Sequence, residues 1–94
     1  MMEQAMVQIV ENHAEISGTI IGSAPDPELP GFVVLTIRVD GAHDVEGSPN
    51  LFCHDIGQTI HVHARSDSAA ATAEGNSVRL RVKKVGPGRS FAEE

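Results

Sequence analysis

The sequence predicts an all-β fold of about five strands, with at most one short helix, in a single domain spanning residues 1–94. Three observations lead there. Four segments alternate apolar and polar residues with period two, as a pleated strand requires. The second of these segments is rich in β-branched residues, and clusters of Gly, Pro, Asn and Asp fall between the segments.

The first strand places Ala14, Ile16, Gly18 and Ile20 on one face, with Glu15, Ser17 and Thr19 on the other. The second runs from Phe32 to Val39, with Val33, Leu35, Ile37 and Val39 as its cleaner apolar face. Thr36, Arg38 and Asp40 point the other way, together with Phe32 and Val34, so this strand begins apolar on both sides. In the third, Ile60, Val62 and Ala64 alternate with Thr59, His61, His63 and Arg65. In the fourth, Val78, Leu80 and Val82 alternate with Arg79, Arg81 and Lys83. A short fifth strand is expected near Ser90 to Glu93, after the turn signal Gly86-Pro87-Gly88.

Ser23 to Gly31 holds three of the five prolines and reads as a long loop, because proline removes ladder donors. Asp40-Gly41 is a tight-turn signal. The stretch from Asp44 to Asp55 is irregular, broken by Gly47, Pro49 and Asn50. Ser66 to Glu74 reads either as one or two helical turns capped by Ser66 or Asp67 and stopped by Gly75, or as an Ala/Ser linker. Residues 1–10 read as a helix or as a first strand preceding these, and residues 1–11 and 92–94 as flexible ends.

Three segments carry a resemblance: Gly18 within SGTIIG, the run DIGQTIHVHAR, and the run GNSVRLRVKKVG. With about five short strands and the helical option between the third and fourth, the chain from about residue 12 to 93 resembles an OB-fold. The resemblance implies a five-stranded Greek-key β-barrel. Gly18 suits the bend that a long first strand needs in such a barrel. The likeness is to the superfold and to no narrower family, and a superfold does not fix a function.

Charge is unevenly placed. The formal charge is −6, yet residues 1–59 carry −8 and residues 60–92 carry +4. Arg79, Arg81 and Lys83 must project from one side of their strand. They read either as an anion-facing stripe or as a solvated face that discourages edge aggregation. Single-strand nucleic-acid binders add stacking aromatics, each contributing about 1–3 kcal/mol. This chain has no Trp or Tyr and three Phe. Composition favours all three filling the core, with Phe32 the one placed where an OB-fold stacks a base.

His61 and His63 lie about 6.6 Å apart on one strand face, a spacing that suits a shared metal ion. Cys53 and His54 lie on a loop upstream. With no third ligand in a recognisable spacing, no metal is assigned to these four residues, and the histidines read as outward polar groups. Cys53 beside Phe52 reads as a small buried hydrophobe. As the lone cysteine it permits no internal disulfide, which favours a reducing, cytoplasmic setting. No apolar run is long enough to span a bilayer as a helix.

No nucleophile elbow, P-loop, dinucleotide fingerprint or zinc-protease motif is present. Asp26 and Glu28 read as solvated loop carboxylates. The sequence therefore points to a non-enzymatic binding module with no cofactor. Its expected surface is Phe32, Val34, Thr36 and Arg38 beside His61, His63, Arg79, Arg81 and Lys83, walled by the loop that carries Leu29. A protein partner is expected first, single-stranded nucleic acid second, and a transition metal third.

Overall fold

Each alternating segment becomes a strand in the computed structural model, which describes residues 11–68, 71, 75–86 and 89–93. The strands are β1 (Ala14–Pro25), β2 (Phe32–Asp44), β3 (Thr59–Arg65), β4 (Ser77–Gly86) and β5 (Arg89–Glu93). They close into one barrel in the order β1-β2-β3-β5-β4, with β4 returning to β1. All neighbours are antiparallel except β3 and β5, which run parallel through Val62 opposite Ser90 and His63 opposite Phe91. The fold is all-β, as the periodicity predicts. Among the described residues no helix is long and apolar enough to cross a membrane.

The apolar faces meet inside. Ala14, Ile16 and Ile20 from β1, Leu35, Ile37 and Val39 from β2, Val62 and Ala64 from β3, and Val82 from β4 are fully buried. Phe52 joins them from the β2–β3 connection, beside a short 3-10 turn at Cys53–Asp55. Asn12 extends the β1 edge with its side chain: Oδ1 accepts from the Lys84 amide and Nδ2 donates to the Lys84 carbonyl, both at 2.9 Å.

Several expectations give way here. Asp40-Gly41 makes no turn, because β2 continues to Asp44. Ser17 faces Gly41 while Gly18 faces Val39, so Asp40 is the extra residue of a β-bulge. Gly18 sits against this bulge, where a Cβ would stand 2.2 Å from the Arg38 carbonyl oxygen. A second register shift makes Ile21 the extra residue between Ile20 and Gly22, and its side chain lies exposed. The Pro-rich loop is shorter than expected, since Ser23, Ala24 and Pro25 still pair with β2.

Only Phe52 of the three phenylalanines fills the core; Phe32 and Phe91 are half-buried on outward strand positions. Phe32 stays outside because the inward places of β2 are taken by the residues that alternate with it, Val33, Leu35, Ile37 and Val39. Cys53 is exposed rather than buried, because the 3-10 turn directs Phe52 inward and leaves its successor outside. The alternatives for Ser66 to Glu74 fall largely outside the described residues, as do those for residues 1–10. Within the former, the Ser68 hydroxyl donates to the Arg65 carbonyl at 2.8 Å and accepts from the Ala71 amide at 3.3 Å. Gly75 has φ +85°, a left-handed conformation that glycine adopts without steric cost.

Candidate binding groove

The loop between β1 and β2 is built around one carboxylate. Asp26 Oδ1 accepts from the amides of Glu28 at 2.9 Å and Leu29 at 3.2 Å, an Asx-type turn. The Asp26 amide donates to the Phe32 carbonyl, and the Phe32 amide donates to the Leu29 carbonyl. Gly31, at φ +82°, turns the chain into β2, and its carbonyl accepts from the Ser66 amide at 2.8 Å. The loop is thereby tied to the end of β3.

Asp26 also reaches onto the barrel. His63 Nδ1 lies 2.6 Å from Asp26 Oδ2, and the Asp26 side chain is only 1% exposed. The Glu28 amide holds the Asp26 carboxyl below the usual range. Burial works against this, while the His63 contact and the Leu29 amide reinforce it. The expectation of a solvated Asp26 is therefore corrected. Glu28 is the exposed one, paired with Arg89 at 3.1 Å.

From His63 a row runs across the outer sheet. Register places Val34, His63, Phe91 and Lys83 side by side on β2, β3, β5 and β4. The His63 and Phe91 rings stack with centroids 4.9 Å apart. Phe91 in turn meets Phe32 edge to face at 6.1 Å. Beside this pair opens a groove of about 420 Å³, lined by Phe32, Phe91, Val85 and Ala92, with Arg65, Lys83 and Glu93 as its charged members.

The expected surface is divided by the structure. Phe32 and Lys83 line the groove, while Val34 and His63 lie in the adjoining row. Thr36 and His61 pair one step further along β2 and β3. Arg38 lies at the far end, opposite Thr59 and Thr19. Arg81 stands between Glu15 on β1 and Glu93 on β5. Arg79 is opposite Ser17 and forms an exposed ion pair with Glu15 at 3.3 Å. The basic stripe is thus partly neutralised by acids on neighbouring strands. Leu29 is half-buried and does not line the groove.

Sequence reasoning missed Phe91, Val85, Glu93 and Asp26 as parts of this region. Phe91 shares the outward parity of Lys83 once the β4–β5 register is known, Val85 is the extra residue at the register shift between Lys84 and Gly86, and Asp26 carries the local Asp-Pro-x-Leu turn pattern. Cys53 and His54 lie exposed on the 3-10 turn. Among the described residues no group of three or more His, Cys, Asp or Glu side chains is arranged to hold a metal ion. Compared with protein-family models, curated proteins and solved structures, the chain matches none.

Proposed function

We propose that the chain is a non-catalytic, OB-like binding module that docks a protein partner in the Phe32–Phe91 groove. The strand order supports the OB-like reading, since an antiparallel barrel with one parallel β3–β5 contact follows that Greek-key path. The observation that carries the function is the placement of two phenylalanines outside the core, in a groove flanked by Arg65 and Lys83. Aromatic residues and arginine are enriched at protein interfaces, and Phe32, Phe91 and Arg65 supply both kinds here. Such a groove suits an apolar anchor side chain preceded or followed by acidic residues.

Single-stranded nucleic acid is the second reading, favoured by the same two rings and by Lys83, which forms no ion pair among the described residues. Two features weigh against it. One face of Phe91 is already occupied by His63, which leaves less ring for a base to stack on. The chain is also acidic overall, with Glu93 inside the groove.

Selection from a library of random displayed peptides tests the proposal, with a mixed single-stranded oligonucleotide titrated in parallel. Enrichment of apolar-acidic peptides that fail to bind the Phe91→Ser protein supports the protein reading. No enrichment, together with oligonucleotide binding that weakens steeply with salt, replaces it with the nucleic-acid reading.

A further inference from the structure

His63 is held from two sides. Asp26 takes its Nδ1 at 2.6 Å, and the Phe91 ring lies against its face with an interplanar angle of 22°. Both Asp26 oxygens are engaged: Oδ1 by two loop amides and Oδ2 by the imidazole. A carboxylate can only accept, so Nδ1 must carry the hydrogen. Neutral His63 is therefore the Nδ1–H tautomer, the reverse of the form a free imidazole prefers. The neighbouring carboxylate Glu28 is engaged by Arg89 and does not compete for the ring.

We infer that Asp26 is a positioning residue for the groove, acting through His63: it fixes the imidazole flat against Phe91 and so sets how Phe91 meets Phe32. The chain of contact runs from Asp26 to His63 to Phe91 to Phe32 through one hydrogen bond and two ring contacts. Asp26 touches neither the groove nor its occupant, yet the Asx turn that orders the loop also orders the aromatic wall. Its binding consequence rests on the proposed function of the groove; its structural consequence does not.

The test is Asp26→Asn, which keeps an Oδ1 acceptor for the Glu28 and Leu29 amides but replaces Oδ2 with an NH2 group. With the ring neutral, imidazole nitrogen shifts of the unmodified protein are expected to report the Nδ1–H tautomer. In Asp26→Asn they should report Nε2–H, and the Phe91 ring signals should move. Affinity for a peptide selected on the unmodified protein should fall roughly tenfold, the scale of losing one charge-assisted hydrogen bond. Glu28→Gln should leave tautomer, ring signals and affinity unchanged. An Nε2–H tautomer in the unmodified protein, or Phe91 signals that stay in place in Asp26→Asn, overturns the inference. If Asp26→Asn does not fold, His63→Gln must move the same Phe91 signals, and unmoved signals there overturn it equally. Because the nitrogen and ring signals need no ligand, they judge the positioning role even where no peptide is selected, an outcome that counts against the groove's function alone.

Discussion

Phe32 on β2 and Phe91 on β5 meet edge to face across β3, with centroids 6.1 Å apart, on the outside of the barrel. An aromatic pair in this position serves a surface rather than the core. Phe32→Ser and Phe91→Ser should each weaken binding of a selected peptide by about 2 kcal/mol or more, measured by titration calorimetry. Their cost to folding should stay well below that of Phe52→Ala, whose fully buried ring is worth roughly 3–5 kcal/mol. Denaturant melts of the three variants check the order. A folding loss in Phe91→Ser as large as that in Phe52→Ala would make Phe91 a core residue.

Gly18 and Gly22 lie on the same strand but should respond differently to alanine. A Cβ at Gly18 would overlap the Arg38 carbonyl oxygen at 2.2 Å, and backbone in the middle of a barrel strand has little room to yield. Gly18→Ala should cost about 3 kcal/mol, at the upper end of overpacking losses. At Gly22 the nearest atom is Thr36 Cβ at 3.5 Å, an ordinary contact. Gly22→Ala should remain within about 1 kcal/mol of the unmodified protein, of either sign. Equal melting temperatures for the two variants would contradict the bulge geometry.

Asp26 ties folding to acid. Its carboxyl is held below the ordinary value of 3.8, chiefly by the Glu28 amide. A group depressed in the folded state stabilises above its unfolded value, and that contribution disappears as pH falls through the folded one. Stability should therefore drop from about pH 4 downward, and Asp26→Asn should flatten that part of the curve. Melting temperatures from neutral to strongly acidic pH decide it. Parallel curves for the two proteins would mean that Asp26 carries none of the acid sensitivity.

Lys83 and Arg38 separate the groove from the rest of the basic residues. Lys83 lines the groove, whereas Arg38 lies at the far end of β2 beside Thr59. Lys83→Glu should weaken an acidic peptide by about 1 kcal/mol at low salt, with the difference shrinking as salt rises. Arg38→Glu should have no such effect. A larger loss from Arg38→Glu would move the binding surface to the other end of the barrel.

The strands are legible because one face of each is buried, so period two is written into Ala14–Ile20, Val33–Val39, Ile60–Ala64 and Val78–Val82. What the pattern cannot show is register. Asp40-Gly41 has turn chemistry, but the bulge opposite Ser17 and Gly18 uses the same residues to bend a continuing strand. Phe32 is readable as outward from its parity within β2. Phe91 is not, because its parallel contact with His63 depends on a long-range pairing. Arg79 looks free in the sequence; Glu15 reaches it only because β4 closes on β1. Asp26 looks solvated because His63, the β3 side chain its second oxygen meets, approaches it only in the folded chain.

The most direct measurement is an amide-NMR map of the unmodified protein titrated with a selected apolar-acidic peptide. Docking in the groove predicts the largest shifts at Phe32, Arg65, Lys83, Phe91 and Ala92, with smaller ones at His63. Shifts centred on Leu51 to Ile56 or around Arg38 and Thr59, with the groove silent, would contradict it.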